Sequence, residues 1–325
     1  MSWLSRPQSL ALVGLFGLFI PFSQEAALRI QKHLANVKPR PDVADLRYGP
    51  FDRNALDLWK PSAEHAASGR PAPLVIFFHG GGFLGGDKSS VPAWLVRRCL
   101  AEGIAVASAN YRLSRQSPYP GPMLDGARAV QFVRSEAESL GIDPERVAAC
   151  GNSAGAGIAL WIGFHDDMAA PDDPDPVRRE STRLACIGGV GAQTSYDPRF
   201  IKRIIGGRAH EHAAIRPFFG LKPDADLDSP SCGSLFEDAS ALSHVSSDDP
   251  PVYLYYSEPG GALPADARAG LGIHHPNFGI ALKDRFDPLN IECVLRHESD
   301  FRSLSDPEDG LPREITAFFQ KHLSN

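Results

Sequence analysis

The chain has 325 residues, 43% of them apolar and 22% charged, which is the balance of a globular protein with a sizeable core. Its formal charge of −6 gives no reason to expect nucleic acid or an anionic membrane surface as a partner. No repeat of solenoid period and no long low-complexity segment interrupts it, leaving one large α/β domain or two small ones.

In chain order, the first feature is an apolar run over residues 10–20, LALVGLFGLFI, preceded by Arg6. It is short for a bilayer span and has the length of a signal-peptide h-region, so residues 1–26 are expected to be a leader and the protein to be exported, with an N-terminal membrane anchor as the alternative. The folded domain is then expected over residues 27–325.

Residues 74–78, Leu-Val-Ile-Phe-Phe, read as a strand buried on both faces, and they end at His79-Gly80-Gly81-Gly82-Phe83. Residues 91–103 read as a helix closed by glycine, and residues 104–108 as the next strand. A helical stripe over 125–140 includes Val130, Val133 and Leu140, and Gly141 ends it. Asp125, at its start, is expected to be a structural cap. Residues 146–150 read as a strand running into Gly151-Asn152-Ser153-Ala154-Gly155. Further strands are expected over 184–190, 252–256 and 291–295, with a helix beginning near Asn277 and an amphipathic helix over 313–323. Strands alternating with helices imply a largely parallel sheet covered on both faces. The weakly periodic stretch between the strands at 184 and 252 is too long for a plain connection, so residues 192–246 are expected to form a cap. Its Phe200, Ile204, Ile205, Phe218 and Phe219 are expected either to line a substrate pocket or to hold the cap to the body.

Gly-x-Ser-x-Gly between a strand and a helix is the pattern of a nucleophile elbow. A serine on so sharp a turn needs small neighbours, and the helix that follows points free N–H groups at charge developing beside it. Ser153 is therefore the candidate nucleophile. The upstream glycine-rich loop lies where backbone N–H donors for an oxyanion would be needed.

Taken with Asn110-Tyr111-Arg112-Leu113, Tyr119-Pro120, Asp125 and Gly141-Ile142-Asp143-Pro144, these segments resemble the hormone-sensitive-lipase-like carboxylesterases and the bacterial feruloyl and acetyl-xylan esterases. The resemblance implies an α/β-hydrolase fold: a mostly parallel eight-stranded sheet, helices on both faces and a cap insertion. It implies a serine carboxylesterase acting on small or carbohydrate-linked acyl esters, without cofactor or metal. It assigns the oxyanion donors to Gly81, Gly82 and Ala154, and makes His79 a structural hydrogen-bonder of that loop.

The acid and the base depart from the family pattern. The turn after the seventh strand reads Ser257-Glu258-Pro259-Gly260-Gly261, so Gly260 takes the usual aspartate position. Glu258 is the nearest carboxylate and Asp266 follows later. After the eighth strand His297 is the candidate base, although Asp300 falls nearer the usual histidine position; His274 and His275 are the alternatives. This irregularity motivates a rival reading, a binding protein on the same scaffold with impaired catalysis. His210-Glu211-His212 and His165-Asp166-Asp167 suggest metal ligands but lack a second group at a telling spacing, so no metal is expected. The five cysteines are scattered without a CxxC, and those in apolar runs read as free thiols.

Overall fold

The computed structural model describes residues 37–62, 64 and 69–324. The expected leader lies outside them. Eight strands form one sheet: β1 (Val43–Arg47), β2 (Ala55–Trp59), β3 (Ala72–Phe78), β4 (Ala105–Ala109), β5 (Ile142–Asn152), β6 (Ile187–Val190), β7 (Val252–Tyr256) and β8 (Cys293–His297). Their order across the sheet is β1-β2-β4-β3-β5-β6-β7-β8. The pairs from β4 onward are parallel, while β2 is antiparallel to both β1 and β4. This is the α/β-hydrolase architecture that the resemblance implied.

The strands of β3 show why the sheet is covered twice. Leu74, Ile76 and Phe78 enter one core, and Val75 and Phe77 enter the other. On the first face lie α2 (Gly121–Ser135), the short α3 (Ala137–Leu140), α4 (Ala154–Phe164) and α8 (Asn277–Phe286). The second face is closed by α1 (Ala93–Ala101) and α9 (Leu311–Leu323), which bury Leu95, Val96, Cys99, Ile315, Phe318 and Phe319. A fully buried side chain of this size contributes about 1.5–3 kcal/mol, so both layers are needed to hold the sheet. All five cysteines are buried free thiols. Among the described residues, no helix is long and apolar enough to cross a membrane.

The structure corrects several expected boundaries; the strand expected over 184–190, for instance, starts at Ile187. The helix expected from Asp125 begins four residues earlier, at Gly121, which places Asp125 inside α2 rather than at its cap. There it is buried and takes a bidentate ion pair from Arg112 together with the Arg112 N–H. The strand expected over 291–295 instead starts at Cys293, because Ile291 N–H still closes the preceding helix by donating to Phe286 O. His297 thereby becomes the last residue of β8, paired with Tyr256. Strands β1 and β2 went unread: β1 lies at the sheet margin and is largely exposed, so it carries little hydrophobic signal.

Residues 192–246 form α5 (Pro198–Ile205), α6 (Ile215–Phe218), α7 (Pro230–Ala239) and two single-turn 3₁₀ segments. Of the five apolar residues singled out there, Phe218 lines the cavity beside Ser153, Ile205 and Phe219 are buried in the core, and Phe200 and Ile204 pack half-buried against it.

Candidate active site

In the sheet, Phe78 pairs with Gly151 and Asn152 with Val190, so the loops leaving β3, β5 and β6 emerge side by side. This carboxyl edge is where open α/β sheets place their ligands.

Ser153 sits between β5 and α4 with φ +51° and ψ −120°, a strained conformation for a residue with a side chain. Its N–H donates to Val190 O (2.8 Å), and its carbonyl accepts the first helical bond from Gly157 N–H (3.0 Å). The flanking glycines follow from contact distance. A Cβ on Gly155 would stand 2.0 Å from Phe78 O, and one on Gly151 would stand 2.4 Å from the Gly155 carbonyl carbon. The serine itself is partly exposed, so its hydroxyl is open to a ligand.

The loop after β3 is wound by consecutive positive φ values at Gly81 (+118°), Gly82 (+59°) and Phe83 (+59°). Among the described residues the N–H groups of Gly81 and Gly82 meet no acceptor. Ala154 adds the first N–H of α4, one of the donors a helix start leaves unpaired. All three residues border one cavity with Ser153.

His79 shapes this loop. It is fully buried, stacks on Tyr111 with ring centroids 4.3 Å apart, and has Nδ1 2.7 Å from Gly80 O. Burial lowers its pKa to about 4, so it is neutral, and Nε2 accepts from Arg53 Nη2 (3.0 Å). Arg53 was missed in the sequence. It also donates to Gly86 O (2.9 Å), Tyr111 O (2.7 Å) and Asn110 Oδ1 (3.2 Å), tying both ends of the glycine loop to the strand behind it. A lone arginine in a turn before a strand carries no motif that would announce this.

The imidazole that reaches Ser153 is that of His274, with Nε2 2.9 Å from the serine Oγ. On the other side of the ring, Nδ1 lies 3.5 Å from Glu258 Oε1. Glu258 also accepts from Gly272 N–H (2.8 Å) and His274 N–H (3.3 Å). Burial pushes its carboxyl up, but the His274 ring and these N–H groups outweigh that and hold it below the ordinary glutamate value. An acid facing Nδ1 keeps the proton there and leaves the Nε2 lone pair toward the hydroxyl. Gln193 braces the same loop by donating to the carbonyls of Ile273 and Gly191.

The expected base, His297, is not brought to Ser153. Its Nε2 lies 3.0 Å from Glu258 O, and its Nδ1 faces the Ser299 hydroxyl (2.8 Å). Being the end of β8, it turns toward the backbone of the neighbouring β7 turn and supports Glu258 from behind. Asp300 accepts His297 N–H (2.9 Å) in a capping box, and Asp266 is exposed. His275 is fully buried, Nε2 against Gly261 O (2.8 Å), while its Nδ1 accepts Asn277 N–H (3.1 Å) at the start of α8. The structure therefore joins Ser153, His274 and Glu258.

The cavity beside Ser153 has a volume of about 390 Å³. Its walls are mostly apolar, with Phe83, Leu84, Ile201, Ile215, Phe218 and Phe278 among them. A larger concavity of about 540 Å³ lies at the opposite edge of the sheet, around Ala72, Ile104 and Ile142, away from this chemistry.

Neither suspected metal cluster assembles as read: Glu211 pairs with His210 and with Arg208, while His212 faces the cavity. His165, His244 and Asp238 do come within 4.8 Å of one another. The two rings lie with centroids 3.8 Å apart and planes tilted by 35°, with His165 Nδ1 2.8 Å from Trp161 O and His244 Nε2 3.1 Å from Asp238 O.

Comparison with known proteins finds esterases among the relatives of the chain. The BD-FAE family model matches residues 56–191. Esterase LipQ of Mycobacterium tuberculosis is 29% identical over 74% of this chain and 53% of its own length. Carboxylesterase NlhH of the same organism is 40% identical over 30% of this chain and 31% of its own. The chain thus spans about half or less of the length of these curated relatives. Among solved structures, a truncated carbohydrate esterase from gut microbiota superposes with TM-score 0.67 at 16% identity, covering 87% of this chain and 96% of that one. An acetyl ester-xyloside bifunctional hydrolase from Caldicellulosiruptor lactoaceticus gives TM-score 0.63 at 21% identity, covering 88% and 97%. At those identities the structures speak for the fold.

Proposed function

We propose that this α/β-hydrolase-fold relative of the carboxylesterases is itself a serine carboxylesterase. The observation that carries the reading is the 2.9 Å contact from His274 Nε2 to Ser153 Oγ, with Glu258 behind the ring. Ser153 Oγ attacks the ester carbonyl carbon as its proton passes to His274 Nε2, and the carbonyl oxygen takes up negative charge. The N–H groups of Gly81, Gly82 and Ala154 are the donors for that oxyanion. Glu258 offsets the charge of the imidazolium, which then protonates the departing alkoxide. Water, deprotonated by the same His274, attacks the acyl carbon; the bond to Ser153 Oγ breaks as His274 returns the proton to that oxygen, releasing the acid.

Small or carbohydrate-linked acyl esters are the substrates we favour. The support is a largely apolar cavity that suits an acyl chain, and a fold shared with proteins described as carbohydrate esterases. The rival reading, a binding protein with impaired catalysis, drew on the irregular acid and histidine region; the contact of His274 with Ser153 and Glu258 weakens that motive. Export remains our proposal from residues 10–20 and is tested by fractionating the producing cell and sequencing the mature N-terminus. The enzymatic reading is tested by a fluorophosphonate probe and p-nitrophenyl acetate. Labelling at Ser153 and turnover lost in Ser153→Ala are expected, and a folded protein inert to both would overturn it.

A further inference from the structure

Few polar groups border the cavity. Apart from Ser153 and His274, the side chains that can hydrogen-bond there are those of Gln193, Tyr196 and His212. Gln193 spends its amide N–H on loop carbonyls. The Tyr196 hydroxyl points into the fold, since a Cβ on Gly157 of α4 would stand 1.9 Å from it. His212 is different.

Its Nδ1 accepts the backbone N–H of Ala214 at 3.3 Å. An accepting Nδ1 places the ring proton of the neutral imidazole on Nε2. Among the described residues that Nε2–H meets no acceptor. Its neighbour in the ring, Cε1, lies 3.9 Å from where a Cβ on Gly82 would stand, so this edge of the imidazole faces the oxyanion loop. Burial, and then the nearby His274, both make His212 harder to protonate, which keeps it a neutral donor. A half-buried N–H without a partner in an otherwise apolar wall is a recognition element waiting for an acceptor.

We propose that His212 is a specificity-determining residue that donates from Nε2–H to a hydroxyl or ether oxygen of the substrate outside the reacting ester group. The site then favours esters whose acyl group or alcohol carries a hydroxyl or ether oxygen, which is the chemistry of carbohydrate-linked esters. The inference rests on Ser153 being the nucleophile.

Isosteric ester pairs test it. 2-Methoxyethyl acetate against butyl acetate varies the alcohol, and butyl methoxyacetate against butyl butyrate varies the acyl group. The readout is the preference for the oxygenated member, as a ratio of kcat/KM values, in wild type and in His212→Phe. That preference is expected to fall about tenfold in the variant for one pair, with turnover of its hydrocarbon member changed less than about threefold. The pair that responds identifies the side of the ester that His212 contacts. His212→Ala, which only removes atoms, gives the same reading should the phenyl ring crowd the cavity. Preferences equal in wild type and both variants, for both pairs, overturn the proposal. A wild-type protein that turns over none of the four esters and resists the fluorophosphonate is a different failure, that of Ser153 as nucleophile.

Discussion

His274 Nε2 and Ser153 Oγ lie 2.9 Å apart although 121 positions separate them in the chain. The contact closes because β5 and β7 flank β6, so the turns leaving their ends open onto the same edge of the sheet. Glu258 and His274 both come from the segment between β7 and α8, and the acid holds the base through its ring and its backbone N–H at once.

Ser153→Ala should lower kcat/KM by at least about 10⁴-fold while leaving the fold intact, because it removes the reacting oxygen and changes little volume. Thermal unfolding of the variant should match wild type within about 2 °C by the size scaling of small stability changes.

His274→Ala and His297→Ala, measured side by side, separate the two imidazoles. The first should cost at least about 100-fold in kcat. The second removes a bond to the Glu258 carbonyl and should stay within about tenfold, with a modest loss of stability of about 1 kcal/mol. The reverse ranking would return the role to the end of β8.

Glu258→Gln keeps the shape of the acid but sets an NH₂ among the donors of Gly272 and His274. Loss of the charge and of the fixed tautomer should reduce kcat by roughly 100- to 10⁴-fold with KM little changed. A variant of wild-type rate would show that His274 needs no acid behind it.

Asp249 links stability to pH. Burial raises its carboxyl from the ordinary 3.8 to about 6, despite the bonds it accepts from Ser246. A raised acid in the fold favours the protonated form, so its contribution is fully present below about pH 4 and is lost as pH rises through about 6. The loss is on the order of 3 kcal/mol. Asp249→Asn abolishes this titration, so its melting temperature relative to wild type should rise by a few degrees between pH 4.5 and 7.5. A difference that stays constant with pH would contradict the shift.

Asp125→Ala should destabilise by about 3–5 kcal/mol, because it strands the half-buried Arg112 guanidinium and its N–H without their partner. Chemical denaturation reads this directly, and the folded fraction should retain its turnover number.

Much of the fold was legible because buried parallel strands are continuous apolar runs, and residues 74–78, 104–108 and 252–256 stand out as such. The elbow and the glycine loop were legible for a related reason: close backbone approach admits few residue types, so Gly151, Gly155 and Gly81 leave a mark in the sequence. The base left none. His274, His275 and His297 differ only in where their loops travel, and loop paths depend on contacts such as Gln193 with Ile273 that have no periodicity. A shift of two residues in the start of β8 was enough to turn His297 from a candidate into a prop. Arg53 stayed hidden because two of its partners are backbone carbonyls, which any sequence supplies, and the other two, His79 and Asn110, lie far from it in the chain.

With acid and base both housed after β7, the stretch that follows β8 is relieved of reacting groups, and residues 302–307 of it are exposed. That makes it a splice point: a reporter peptide or an affinity handle inserted there is expected to leave the contact between Ser153, His274 and Glu258 untouched.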